Sequence, residues 1–600
     1  VAGVIAGLGW SYGSAGPPER GAEDYLSPEL RAKVEKLKAE VAAEPTTDAT
    51  LAARTTVLWE WANASSRAGG VVPHHLAMVV WIVRTVLDEA PATLRRVDIP
   101  EEVDLLVGDL AIKDEHPGAL GVLALEREAP LVARSWEQIV QTWTVGALPM
   151  KEGGHVYLGK DGYNNCGAPQ GKDPAGDNYV TVSASAPGAR FVYEGVGERG
   201  MPQARVLATF RLEGASLSTG DVLTIAYGDR SGGSRGYQIQ GNSVSRLMLP
   251  VFLDLEGGGS TFFQPAWPGV EVVGMSEVAA VRGFAPSIVA PGERFAVAVR
   301  SEDRLYNRAS GPIPAYRVLV NGREHSTIPA GNRAITVLEG LSFDEPGVYR
   351  FSFESSDGTI TGGANPVWVR ADPPHRIYWG DTHGHISYCD GQGTVDGYYS
   401  FARDDAGLDF VALSNHDWGL EDGEWLAQQE LIPKYREGGS FVPMLGFEWS
   451  GQLPNGGHNN VYYRNLGSAR VGGATAAKKA GLLAQLRRRH RTRDVLVIPH
   501  AHAPGDWRVG DEIQRLVEIS SQHGTFEWFG NRFLEEGWEV GFIGSSDNHS
   551  EHPGWTGTMT TFHTQLGGLA AALAGERTND AIFSALYDRR AYATTGGARI

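Results

Sequence analysis

Apolar positions along the chain recur with three successive patterns, and each change marks an expected unit. From about Leu26 to Ala90 the period is helical: Ser27 and Pro28 supply an N-cap and a first-turn proline, and Leu30, Val34, Leu37 and Val41 share one face. TLAARTTVLWEWANASSRAG and PHHLAMVVWIVRTVLDEA continue that pattern, with Trp59, Trp61 and Trp81 as large apolar surface. A helical N-terminal cap over 1–120 is expected. His74 and His75 are adjacent on one of these helices, so they face different directions and are read as structural. From about Gly121 to Arg370, short runs rich in Val, Ile, Thr, Tyr and Phe are broken by Gly, Pro, Asn and Asp, which predicts strands. NYVTVSAS, VLTIAYGD, RFAVAVRS, YRVLVNG and VYRFSFESSDG are the clearest, and Asn321-Gly322 is a hairpin signal. Two β-sandwich-like units follow, over 121–270 and 271–372, the second with immunoglobulin-like strand spacing. After Ile377, apolar strand-length runs (FVALS, FVPMLGF, NVYY, VLVIP, RLVEIS, VGFIG) alternate with helical stretches. That alternation predicts an α/β domain over 373–600 with a largely parallel, barrel-like sheet.

Composition narrows the function classes. The chain of 600 residues is 42% hydrophobic and 21% charged, which is globular and not disordered, and at about 150 residues per domain it holds several domains. With 53 basic and 71 acidic side chains the net charge is -18, so nucleic acid and anionic lipid surfaces are repelled. The most apolar run, His75–Leu87, is short and carries Arg84, so no membrane insertion is expected. Two cysteines, Cys166 and Cys389, exclude a disulfide framework and a thiolate zinc site, leaving one bridge open. The opening VAGVIAGLG, without an initiator methionine, reads either as a mature chain after signal removal or as a trimmed sequence; the first favours a periplasmic or secreted bacterial location, with the cytoplasm left open. A homodimer is compatible with all of this.

The chemistry lies at the strand ends of the last unit. Of 17 histidines, 12 fall between His375 and His563, and IYWGDTHGH, FVALSNHD, FVPMLGFEWS, VLVIPHAH and VGFIGSSDNH each run from apolar residues into His, Asp or Glu. Strand ends of such a fold share one face, so these groups converge, and gathered carboxylates and imidazoles need positive charge between them. Divalent ions supply it. His383 and His385 have the spacing to grip one ion from one side of an extended strand end, and Asp547-Asn548-His549 repeats that spacing. Glu448 is the natural bridging carboxylate, His458 and His500, with or without His502 beside them, would complete a second ion, and Asp390 with His416 would hold a third or orient the others. An all nitrogen and oxygen donor set suits Zn, Mn or Fe. His523 also ends a strand and lines the pocket or hydrogen-bonds a ligand, whereas His490, His552 and His563 read as structural. The GxSxG matches at Ser11 and Ser234 lack a strand-to-helix context, and the glycine-rich segment around Arg230 reads as a hairpin turn.

HxH followed by CDG, then SNHD, GFEWS, GHNN, PHAH and GSSDNH, resembles the successive metal-binding motifs of the PHP (polymerase and histidinol phosphatase) superfamily of metallohydrolases, over 377–563. The closing RRAYATTGGARI and the preceding β-region resemble a branch related to bacterial carbaryl and carbofuran hydrolases. The resemblance implies a distorted barrel of about seven strands, (β/α)7, with two or three ions. His383, His385, Glu448 and Asp547 would then hold the first ion, Glu448 bridging to a second on His458 and His500. Asp390, His416 and His549 match the third position, where this chain offers Asp390 in place of a histidine that some PHP phosphatases use.

The expected activity is hydrolysis by a water that two ions acidify and bridge, with Asp547 or His416 collecting the proton and His502, His523, Asp417 or Arg508 serving the leaving group. For the substrate, few Arg or Lys adjoin the motifs, Arg508 nearest and Arg464 further off, while Tyr388, Trp418, Trp449, Trp507 and Trp528 are close in sequence. A small ester-type substrate follows, an aryl N-methylcarbamate or carboxyl ester first, a phosphoester as the alternative. A binding module with a degenerate metal site is the rival from outside enzymology.

Overall fold

The computed structural model describes residues 120–600 apart from 160–162, 198–206, 258–261, 264–267, 452–456, 472–477, 555–566, 597–598 and 600, together with Pro28, Ala32, Lys33 and Lys36. The expected N-terminal helices, His74, His75, Ser11 and His563 lie outside the described residues. What is described is a β-rich multidomain chain.

Alternation of inward and outward residues builds the first unit. In the strand Ile139–Thr144 the buried positions are Ile139, Gln141 and Trp143, and its partner Val222–Tyr227 buries Leu223, Ile225 and Tyr227. Together with Val122–Leu125 and Val180–Ala184 they form a four-stranded antiparallel sheet. Val156, Leu158, Phe210 and Leu212 from a second, five-stranded sheet join the same core, which is the sandwich principle of two inner faces. Strand Gly269–Val273 still pairs with Val244–Met248 and is the last of this unit.

The next unit packs a seven-stranded sheet against a three-stranded one, with Val297, Val318 and Phe353 meeting Val289, Val367 and Val369. Asn321 (φ 50) and Gly322 (φ 76) close the hairpin between Tyr316–Val320 and Arg323–Ile328, the positive-φ pair that a type I′ turn requires. VYRFSFESSDG, expected as one strand, is two: Gly347–Tyr349 pairs with Val367–Val369, and Phe351–Ser355 pairs with Tyr316–Val320. The chain changes sheets at Arg350, whose N–H donates to the Asn321 side chain at 2.9 Å.

In the C-terminal unit the strands are β1 (Arg376–Asp381), β2 (Phe410–Leu413), β3 (Val442–Gly451), β4 (Gly457–Tyr463), β5 (Val495–Pro499), β6 (Leu516–Ser521), β7 (Gly524–Thr525), β8 (Gly541–Gly544), β9 (Gly568–Ala574) and β10 (Ala591–Thr595). The helices are α1 (Val395–Ser400), α2 (Asp422–Arg436), α3 (Lys479–Arg489), α4 (Glu527–Glu535) and α5 (Asn579–Tyr587). The main sheet has the order β5-β4-β3-β2-β1-β9-β10, and β6 pairs with β7 and β8 in a smaller one. Strands β1, β2 and β3 are parallel, as are β6 and β8, but β4, β5, β9 and β10 join antiparallel. The sheet is therefore mixed, which corrects the largely parallel expectation. Between β3 and β4 the reason is length: Gly451 to Gly457 leaves no room for a helical crossover, so the chain turns back.

The smaller sheet meets the larger at two places: His500, just after β5, bridges Glu518 of β6, and Ser545 after β8 donates to Ser520 O while accepting from Gly568 N–H of β9. β2 is buried on both faces, which explains its unbroken apolar run: Val411 and Leu413 lie in one cluster with Leu445 and Phe447, and Phe410 and Ala412 in another with Ile582, Phe583 and Leu586 of α5. Cys166 and Cys389 are both buried and are not joined in a disulfide. No helix among the described residues is long and apolar enough to cross a membrane.

Candidate functional site

Strand ends deliver the polar residues to one place. His383 and His385 leave β1, His416 leaves β2, Glu448 lies within β3, His458 within β4, His500 and His502 leave β5, and Asp547 and His549 leave β8. Asp390 comes from the turn before α1. All are buried or nearly so. Gly384 separates the two β1 histidines because a Cβ there would lie 2.3 Å from the Tyr398 hydroxyl. Its neighbours dock on the β8 end: His385 N–H donates to Asn548 O at 2.7 Å and Asp547 N–H donates to His383 O at 2.8 Å. Asp547 sits at φ 56, so Asp547-Asn548-His549 forms a turn, not the extended repeat of His383-Gly384-His385 that the spacing predicted.

Glu448 is the centre of the arrangement. Its Oε2 lies 3.0 Å from His383 Nε2, 3.2 Å from His385 Nε2 and 3.4 Å from His416 Nδ1, while its Oε1 lies 2.6 Å from His458 Nδ1 and 3.7 Å from His500 Nδ1. Asp547 Oδ1 closes the first group at 3.3 Å from His383 Nε2 and 3.2 Å from His385 Nε2. A third group gathers on Asp390 Oδ1, with His549 Nε2 at 3.4 Å and His416 Nε2 at 3.7 Å. Ligand bonds of about 2.0–2.2 Å at tetrahedral angles separate donor atoms by roughly 3.3–3.6 Å; three of these nine pairs fall in that range, and all the others except His458–Glu448 at 2.6 Å lie within about 0.3 Å of it. His385 Nε2, Asp390 Oδ1, Glu448 Oε1, both ring nitrogens of His500 and His549 Nε2 have no hydrogen-bond partner although they are buried, so these donors fit divalent cations. Each subset that could hold an ion draws on the same residues: His383, His385 and Asp547; His383, Glu448 and His500; His416, Glu448 and His458; His458, His500 and His502; and His385, Asp390, His416 and His549.

Among the described residues, electrostatics at the site follow from burial and from the imidazoles that face each carboxylate. Burial alone would raise the Glu448 carboxyl, yet the imidazoles of His416, His458 and His500 hold it well below the usual carboxylate range. Asp547 is likewise held down against its burial by His383 and His523. Burial would depress His383, but Asp547 and Glu518 keep its imidazole well above the ordinary range. Burial wins at His500 and His502, and it brings His416 down to about 3.

Among residues that the strand-end reading left unnamed, Glu518 of β6 receives His383 Nδ1 at 3.0 and 3.1 Å from its two oxygens, a carboxylate–histidine pair that fixes the ring so that Nε2 faces Glu448. Its run, RLVEIS, was legible as a strand, but a single Glu inside a strand gave no spacing to mark it. Ser450 lies 2.6 Å from His416 Nδ1, and Gln522 lies 3.1 Å from His549 Nδ1. His523 reaches Asp547 Oδ2 at 2.8 Å, and His502 stacks on His523 with ring centroids 4.2 Å apart. Asp417 accepts from Ser450 N–H at 3.0 Å and so supports β3.

Arg508 departs from expectation. Its guanidinium lies over Trp507 and 3.7 Å from Glu536, on a half-exposed side chain, because buried Trp507 takes the inward direction of this turn. Trp449 and Trp507 are core residues, whereas Trp418 is 51% exposed and stacks on His416. His490 caps α3, and His552 stacks on Phe401, both structural positions.

No protein-family model matches the chain. It is 24% identical over 421 residues to an uncharacterized protein of Chlamydia trachomatis, covering 63% of this chain and 66% of that one. An uncharacterized protein of Chlamydia pneumoniae is 23% identical over 419 residues, again 63% and 66%. The chain thus spans just under two thirds of these relatives' length. Among solved structures, a CARDB domain from Pyrococcus furiosus aligns at 18% identity over 15% of this chain and 92% of that one, with a TM-score of 0.13. The D00-D0 domain of intimin aligns at 13% identity over 42% of this chain and all of that one, with a TM-score of 0.16; scores this low define no common fold.

Proposed function

We propose that the C-terminal unit is a metal-dependent hydrolase of the PHP type, cleaving a carbamate or carboxyl ester. The observation that carries this is Glu448, whose two oxygens face two different histidine groups as a bridging carboxylate must. His383, His385 and Asp547 would hold one ion with Glu448, and His458 and His500 a second. Such a pair supplies Lewis-acid polarisation of the electrophile and a nucleophile at neutral pH. The chain's own part is to orient and to move protons. Glu518 fixes His383, and Ser450 fixes His416. His523, 2.8 Å from Asp547 Oδ2, is placed to pass a proton between that carboxylate and the leaving group, with His502 stacked behind it. The charge partners of Asp390, Glu448 and Asp547 among the described residues are imidazoles only. With imidazoles as the charge partners of these carboxylates among the described residues, a neutral ester fits better than a phosphate dianion.

A metal-supplemented screen tests this: 1-naphthyl N-methylcarbamate and p-nitrophenyl acetate against p-nitrophenyl phosphate and bis-p-nitrophenyl phosphate, with His383→Ala as control. Turnover of the carbonyl esters that the control abolishes is the expected result. Turnover confined to the phosphates moves the protein to the phosphoesterases. Protein that binds no ion and keeps its thermal stability with a chelator is a binding module instead.

A further inference from the structure

The first β-unit reaches the metal-type cluster with a side chain of its own. Tyr163, buried to 7% exposure, stacks on His549 with ring centroids 3.9 Å apart and planes 16° apart. His549 stacks on His385 at 4.2 Å, His385 on His416 at 4.4 Å, and His416 on Trp418 at 5.1 Å. Three imidazoles thus stand in one column between two aromatic side chains. Trp418 belongs to the same unit as the histidines, whereas Tyr163 comes from more than 200 residues earlier.

The same β-unit also grips the two segments that carry Asp390 and His549. Gln392, two residues after Asp390, donates its amide N–H to Gln240 Oε1 at 2.9 Å and accepts from Asn242 Nδ2 at 3.1 Å. Its backbone N–H donates to His549 O at 2.9 Å, which ties the two segments to each other. Glu551 accepts from the backbone N–H and hydroxyl of Ser245 and from the backbone N–H of Thr394. His552 Nε2 lies 3.1 Å from the Ser243 hydroxyl. One segment, 240–245, which runs into the strand Val244–Met248, therefore holds both sides of the Asp390 and His549 group, and Tyr163 covers the ring face of His549.

We propose that Tyr163 is a positioning residue for His549, and that docking of the first β-unit sets the occupancy of the Asp390, His416 and His549 ion position. An imidazole ligates only along its ring plane, so a partner stacked flat on its face fixes the direction of Nε2 without competing for it. Among the described residues, the side chains that orient His383 and His416, Glu518 and Ser450, lie in the C-terminal unit itself. Loss of Tyr163 is therefore selective for the third position. This rests on the metal-site reading above.

The test uses the full chain titrated with Mn²⁺ or Zn²⁺ alone, with ions per chain counted by mass spectrometry and affinities read by calorimetry. Tyr163→Leu is expected to weaken the third ion by about 10–100-fold, the range for groups that orient ligands, and to leave the first two unchanged. Asp390→Asn is expected to reproduce that loss, and Tyr163→Phe to titrate like the unaltered protein. Should the Leu variant fail to fold, Tyr163→Met keeps bulk without a planar ring and is read in the same way. A Leu or Met variant that retains a third ion at full affinity overturns the inference, as does an unaltered chain that takes two ions and no third; both leave the two-ion reading standing. An unaltered chain that takes no ion removes the metal-site reading itself.

Discussion

Glu448 must satisfy two histidine groups at once, so its substitution separates a bridging role from a merely structural one. Glu448→Gln keeps the shape but replaces one oxygen with a donor that points at imidazole nitrogens. We expect the ion count to fall by at least one per chain and turnover by more than about 100-fold, with the fold retained by circular dichroism. Unchanged ion content would show that the carboxylate bridges nothing. Glu518→Gln is the milder case: the amide oxygen still accepts from His383 Nδ1, but the charge that raises the basicity of His383 is gone. Ion affinity measured by competition with a chelator is expected to drop about 10–100-fold. These two residues also mark how far the sequence is legible. Glu448 follows an apolar run, as do His383, His416, His500 and Asp547, and is marked by it, although β3 continues past Glu448 to Gly451. Glu518 lies mid-strand with apolar neighbours, and Tyr163 lies in a loop of another unit, so no local pattern distinguishes either from ordinary core.

At the scale of elements, the turn after β8 concentrates both chemistry and strain. Asp547 at φ 56 and Glu551 at φ 61 occupy the left-handed region, and the Asn548 side chain offsets this by accepting from Ser550 and His552 N–H at 2.8 Å each. The Asp547-Asn548-His549 spacing was visible in the sequence, but its backbone direction was not, since positive φ at Asp leaves no compositional trace. Glu551 carries the pH dependence of this turn. Burial pushes its carboxyl up to about 7, against hydrogen bonds from Ser245 and Thr394 that pull it down. Between pH of about 4.5, where the unfolded carboxyl titrates, and about 7, the folded state holds a proton that the unfolded state releases. Stability contributed by this group is therefore full below about 4.5 and falls as pH rises to about 7, by roughly 3 kcal/mol. Urea unfolding across that window compares the native chain with Glu551→Gln, and the difference between them is expected to carry this slope; a pH-independent difference would refute it.

For the whole molecule, the arrangement of units matters as much as the site. From the sequence, unit boundaries are expected near residues 271 and 373, whereas the strand Gly269–Val273 runs across the first of these and still pairs within the first β-unit; the contacts between units leave no trace in the sequence, because they are made by single polar side chains. One of these, between charged side chains, joins the second β-unit to the C-terminal one. Arg300, fully buried, lies 3.4 Å from Asp405 Oδ1, and Arg308 donates to both oxygens of the same carboxylate, from Nε to Oδ1 at 3.0 Å and from Nη2 to Oδ2. Asp405 ends the π-helical turn Phe401–Asp405 that prolongs α1, and Arg300 also lies over the Phe401 ring. Glu302 is 3.4 Å from Arg300 Nη1, but burial raises its carboxyl, so it is a weak substitute for Asp405 as counter-charge. Asp405→Asn therefore leaves Arg300 buried with too little negative charge around it. Removing one partner of a buried pair costs about 3–5 kcal/mol, most of it from the charge left behind. Calorimetry should show a lowered and broadened transition as the two units begin to unfold separately. Arg300→Met with Asp405→Leu removes both charges and should recover most of the loss; a double variant no more stable than Asp405→Asn would mean that the pair holds the units in register through its hydrogen bonds and not through its charge.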